Sequence, residues 1–197
     1  MALRLALICH APTAATRTAT FPADEPLDGP GLERARAAAH RFSNTARYLR
    51  SPALAAQQTA EALDLPAGIE PELRECDYGC WVGRSINEVQ TDDPEGAAQW
   101  LSNPSNCPHG GESMLALLRR VSTWLGTHDQ SGQVVAITHA SIVRAAIVAA
   151  LDAPPRAFWR IDVSPLSVTW LHRGVEPWTL SSANQRLRPP RNQRLSN

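Results

Sequence analysis

The sequence predicts an α/β protein built on a mostly parallel sheet, and three observations carry that prediction. Two continuous apolar runs, Leu3–Cys9 and "QVVAITH" ending at His139, have the composition of strands buried on both faces. Segments with helical spacing alternate with the extended ones, as βαβ units require. The chain has 197 residues, enough for one domain with a sizeable core.

Each element can be justified in order. Leu3–Cys9 is the first strand. After a loop rich in Pro and Asp, "GPGLERARAAAHRFSNTA" places Leu32, Ala35, Ala39 and Phe42 on one helical face. "ARYLRSP" reads as a second strand stopped by Pro52, and "ALAAQQTAEALDL" as a second helix. "IEPELREC" reads as a short extended segment. The stretch from Asp77 to Pro108 is loop-rich with two short helices. "GESMLALLRRVSTWLGTH" is strongly amphipathic, with Met114, Leu117, Leu118, Val121 and Leu125 on one side. Gly132 precedes the apolar strand "QVVAITH". The helix "ASIVRAAIVAALDAP" follows, stopped by Pro154, and "SPLSVTWLHRG" with "EPWTLSS" forms a closing pair of strands. The terminal stretch 184–197 carries Arg186, Arg188, Arg191 and Arg194 and no acid, and reads as a basic, disordered tail.

Composition narrows the function. A formal net charge of zero gives no global attraction to nucleic acid or to an anionic membrane. No apolar run reaches transmembrane length, and the N-terminal apolar stretch is too short for a signal peptide, so a cytoplasmic location is expected. Cys9, Cys76, Cys80 and Cys107 match no zinc spacing and read as reduced thiols. All basic side chains are arginines, which excludes Schiff-base lysines and Walker A sites. The six tryptophans leave two readings open, a homodimer interface and a filled core.

Two strands end in histidine, His10 and His139, and both should arrive at the carboxyl edge of the sheet, where open parallel sheets bind ligands. Glu75 in "LRECDYG" and Glu112 in "GGES" lie in loop-like contexts. Two imidazoles and a carboxylate suffice for a nucleophile, a positioning group and a proton donor. Glu112 equally suits the first turn of its helix, where the dipole favours an acid.

Five motifs, "CHAPT", "SPALAAQQTA", "LRECDYGCWVG", "GGES" and "THASIVR", occur in the order and spacing of the histidine phosphatase superfamily, also called phosphoglycerate-mutase-like, and the chain from Leu3 to Leu151 resembles that family. The resemblance implies a three-layer sandwich, a central sheet with helices on both faces, over residues 1–183, with a lid insertion at about 77–108. It implies phosphomonoester hydrolysis through a phospho-His10 intermediate, with Glu75 as proton donor and acceptor and His139 holding phosphoryl oxygens. Glu112 falls at the pocket rim, and Ser51 and Thr13 also match. A phosphorylated small molecule or phosphate is the implied ligand, with no cofactor and no metal. The sparse cations of the lid region, Arg84 alone, disfavour a mutase.

Departures from the family pattern bear on activity. The arginine expected before the nucleophile is Cys9, and the arginine of the second motif is Ala55; the glycines after the two histidines are Ala11 and Ala140. A hydrogen bond to a charged group is worth about 1.5–3 kcal/mol. Two lost guanidiniums would cost roughly 3–6 kcal/mol, on the order of 10²- to 10⁴-fold in binding. Without them, Glu75 should favour His10 as imidazolium. Arg17 is the residue placed to restore some anion affinity, while Arg144 matches an arginine outside the phosphate contacts. The thiol of Cys9 beside a histidine raises a reactive-cysteine reading. Two main readings follow: a weak or specialised phosphatase, and a non-catalytic pseudophosphatase that binds or regulates. A third is an interaction module acting through the tail.

Overall fold

A computed structural model describes residues 2–38, 42, 45–128, 131–174 and 177–187. Its elements in chain order are β1 (Leu3–Cys9), α1 (Ala14–Thr18), α2 (Gly29–Ala37), β2 (Arg47–Arg50), α3 (Leu54–Ala62) and β3 (Gly68–Ile69). They continue with α4 (Ile86–Asp92), α5 (Pro94–Ser102), α6 (Met114–Gly126), β4 (Gly132–Thr138), α7 (Ala140–Ala150), β5 (Ser167–Arg173) and β6 (Thr179–Arg186).

The six strands form one sheet in the order β3-β2-β4-β1-β5-β6. β1, β2, β3 and β4 pair in parallel, and β5 runs antiparallel to both β1 and β6. The period-two alternation of β1 divides the core. Leu3, Leu5, Leu7 and Cys9 pack with Leu117, Val121 and Leu125 of α6 and Ile142 and Ala146 of α7. Ala6 and Ile8 face the other way, onto Ala35 of α2 and Ala56 and Ala60 of α3. β4 divides likewise, Val134 and Ala136 on one side, Val135 and Ile137 on the other. Three layers result, as predicted. Local chemistry sets the helix starts: Ser113 caps α6 and Asp28 caps α2, each side chain accepting from a backbone N–H three residues on.

Several expectations need correction. The segment from Ile69 is barely extended: β3 is two residues long, and a 3₁₀ turn at Pro71–Leu73 follows because Pro71 opens the turn and Glu70 caps it. The helix expected over 29–46 ends at Ala37, and its continuation at 39–41 and 43–44 lies outside the described residues. The tail does not begin at 184. Asn184 and Arg186 belong to β6, and Leu187 is buried against the second core layer, its N–H donating to Leu166 O. Residues 188–197, with Arg188, Arg191 and Arg194, lie outside the described residues. Two short helical pieces, α1 and the 3₁₀ segment Pro155–Arg160, have too few turns to produce a periodic signal.

The 77–108 stretch contains α4 and α5 and shares a small core with Phe21 of the preceding loop, Phe21, Trp81, Val89 and Ala97 being buried together. All six tryptophans are buried or half-buried within the chain. No helix among the described residues is long and apolar enough to cross a membrane.

Gly79 is the hinge of this packing. It adopts φ +47°, and a Cβ there would lie 2.0 Å from His109 O. Gly79→Ala should therefore cost about 1–3 kcal/mol from backbone strain, more with the clash, read as a lower urea midpoint. A midpoint equal to that of the wild type would contradict this packing.

Candidate active site

The site forms where β1, β2 and β4 end. His10 directly follows β1, its N–H donating to Thr138 O (2.8 Å), while Ser51 directly follows β2 and donates to Ile137 O (2.8 Å). His139 directly follows β4 as the residue preceding α7. The two imidazoles are thus brought side by side, ring centroids 5.1 Å apart at 70°. The Oγ1 of Thr138 donates to Leu73 O (2.8 Å), which draws the segment carrying Glu75 to the same sheet edge.

A cavity of about 380 Å³ opens on this edge, lined by His10, Thr13, Ser51, Ala55, Glu75 and His139 among others. His10 Nδ1 lies 2.7 Å from Ala11 O. A carbonyl only accepts, so Nδ1 carries the proton and Nε2 of the neutral ring keeps its lone pair. Burial, reinforced by His139, lowers the His10 pKa to about 4. The expected imidazolium is therefore not formed near neutrality: desolvation outweighs the attraction of Glu75. Burial, with Arg120 second, likewise lowers His139 to about 3. His139 Nε2 shares a 2.8 Å hydrogen bond with Ser51 Oγ. Its buried Nδ1 has no hydrogen-bond partner, although Glu75 Oε2 is 3.5 Å away.

Burial raises the Glu75 pKa, even though Oε1 accepts from the Ser141 hydroxyl and from the N–H of Cys76. A carboxyl poised in this way can deliver a proton. Ser141 escaped the sequence reading. Its only signal was its place two residues after His139, in the first turn of α7.

Other predicted site residues lie elsewhere or do different work. The Arg17 guanidinium forks onto Asp28, with Nη2 3.0 Å from Oδ1, and does not line the cavity, because the Asp28 carboxylate holds it. Glu112 also lies off the cavity wall: both its oxygens accept from Arg120, at 2.8 and 2.7 Å. Thr13 lines the cavity but caps α1 in a reciprocal pair with Thr16. Cys9 is 2% exposed in the core, and burial raises its thiol to about 12, which removes the thiolate a nucleophile needs. A further cavity of about 240 Å³, lined by Cys9, His10, Glu75 and Ala140, lies beside it.

The charge balance was not foreseen. Among the described residues, Arg74 is the one guanidinium lining the His10 cavity, against the carboxyls of Asp24, Glu25, Glu75 and Asp77. Arg74 has only long ion pairs, 3.7 Å to Glu72 and 3.9 Å to Glu112. Its signal was adjacency to Glu75 in "LRECDYG".

Both histidines are held below the ordinary imidazole value of 6.5, so over the window below it the native state binds fewer protons than the unfolded chain. Stability they contribute is present above about pH 6.5 and is lost as the pH falls toward 4 and 3. Glu75 acts in the opposite sense, so a variant comparison is needed to isolate one imidazole. The urea midpoint of His139→Gln should fall less steeply between pH 6.5 and 4 than that of the wild type. Equal slopes would show that His139 is not held neutral.

Known proteins are similar to this chain in sequence and in fold. The Bifunctional protein Rv2228c of Mycobacterium tuberculosis is 31% identical over 137 residues, 65% of this chain and 38% of that protein. The chain thus spans well under half of that relative. The adenosylcobalamin/alpha-ribazole phosphatase of Salmonella typhimurium is 28% identical over 173 residues, covering 82% of this chain and 86% of the relative. The crystal structure of the alpha-ribazole phosphatase of Shigella flexneri superposes with a TM-score of 0.80 at 24% identity, over 96% of this chain and 100% of that one, a likeness of fold. The family model of the histidine phosphatase superfamily (branch 1) matches residues 5–186, and this chain belongs to that superfamily.

Proposed function

We propose that the protein hydrolyses phosphomonoesters weakly through a phospho-His10 intermediate. The observation that carries this reading is the state of His10. Its Nδ1–H is fixed on Ala11 O, and burial keeps the ring neutral, which leaves the Nε2 lone pair free beside a protonatable Glu75. In the first step Nε2 attacks phosphorus, the ester P–O bond breaks, and Glu75 gives its proton to the leaving oxygen. In the second step water attacks the phosphoryl group, Glu75 takes a proton from it, and His10 is released with phosphate. Arg74 is the cationic donor available to the phosphoryl oxygens, and the neutral His139–Ser51 pair keeps one further donor, the Ser51 hydroxyl when His139 Nε2 carries the ring proton.

Weakness follows from charge. Phosphoryl transfer depends on positioning and on stabilising the equatorial oxygens. With both histidines neutral, one guanidinium must serve a dianion in a cavity that also holds four carboxyls. The same imbalance favours the second reading, a pseudophosphatase that retains the fold for binding.

p-Nitrophenyl phosphate separates the two. The wild type should turn over slowly, and His10→Ala should abolish the turnover; identical rates in both would refute a phospho-His10 route. Cys9→Arg together with Ala55→Arg restores the cations of the family pattern. The cavity of about 240 Å³ beside Cys9 offers space for the first of them. The double variant should be faster by roughly 10²- to 10⁴-fold. No gain in a folded double variant would mean that the missing cations do not limit the reaction.

A further inference from the structure

A second cavity of about 400 Å³ adjoins the His10 pocket and shares Pro22, Cys76 and Tyr78 with it. That volume falls in the roughly 300–1,000 Å³ range of small-molecule sites. Its walls are aromatic. Phe21 packs 5.3 Å from Trp81, Trp81 5.5 Å from Trp100, and Trp100 4.5 Å from Trp159, centroid to centroid. The half-exposed side chains of Ile86 and Leu101 also line it.

One charged residue lines this apolar space among the described residues, Arg144. Its Nε donates to Ile161 O (2.9 Å), and its guanidinium carbon lies 5.8 Å from the Phe158 ring centroid. No carboxylate among the described residues forms an ion pair with it, and its two terminal nitrogens have no hydrogen-bond partner there. A guanidinium keeps its charge, and here it has no counter-ion among the described residues. The Nε contact fixes the plane of the fork and leaves the two Nη groups as a matched pair of donors.

We propose that this cavity binds an aromatic carboxylate, its ring against the tryptophan wall and its carboxylate on the Nη groups of Arg144. Flat rings suit walls built of edge-on and tilted aromatics. A monoanion is favoured over a phosphate dianion because one guanidinium neutralises it fully, whereas a dianion would bring an uncompensated charge into apolar surroundings. The site goes beyond phosphate chemistry at His10 and does not require it.

Calorimetric titration of the full chain with 2-naphthoate and with neutral 2-naphthylmethanol tests this. In the wild type the acid should bind roughly 10- to 100-fold more tightly than the alcohol, the worth of a charge-assisted hydrogen-bonded pair. Arg144→Met should bring the acid down to the level of the alcohol and leave the alcohol unchanged, which also shows that the cavity is intact. Equal affinities for acid and alcohol in the wild type would overturn the proposal, and that comparison needs no variant. So would binding of the acid that survives in Arg144→Met, or no binding of either compound.

Discussion

The parallel pairing of β1 with β4 is the constraint from which the site descends. Their register sets Cys9 opposite Thr138, so the next residue on each strand, His10 and His139, leaves the sheet at the same height. The carbonyl of Thr138 accepts from His10 N–H and its hydroxyl donates to Leu73 O, so one residue fixes both the strand end that carries His10 and the approach of Glu75. A one-residue slip in this pairing would send every inward side chain of β1 to the opposite face. The two core layers, each built on alternate residues of β1 and β4, hold the register against such a slip.

That same burial decides the electrostatics. Sequence alone puts a carboxylate beside a histidine and leads to an imidazolium. Burial reverses the outcome, holding both histidines well down and pushing Glu75 up. Two neutral imidazoles then face a carboxyl whose proton affinity burial has raised. What they lack is positive charge. Under the proposed reaction, the limit lies in holding an anion in place and not in the nucleophilicity of His10.

The fold was legible wherever burial is continuous. β1 and β4 are apolar on both faces, and α6 shows a full amphipathic stripe, so the periodic signal is strong. β3 and α1 were not legible because two and five residues are too few for a period. β6 ran past its expected end because Asn184 and Arg186 look like tail while Leu187 anchors them to Leu166. At the site, His10 and His139 could be read from strand ends, while Ser51 came only from the motif resemblance. The partners of long side chains could not. Arg17 and Glu112 each have several carboxylates or guanidiniums within plausible sequence reach, and only tertiary packing selects Asp28 for one and Arg120 for the other.

The disposition of the arginines ties these points together. Arg17, Arg84 and Arg120 are spent on Asp28, Asp92 and Glu112, stitching loops and helices to the scaffold. Arg74 and Arg144 are left with weak carboxylate partners or none, and each lines one of two adjoining cavities that meet at Tyr78. In the His10 cavity the guanidinium competes with four carboxyls; in the aromatic one it competes with none. A monoanion choosing between them gains more in the second, where the charge is unopposed by carboxyls among the described residues. The paired imidazoles and the unopposed guanidinium are in this chain divided between two neighbouring spaces.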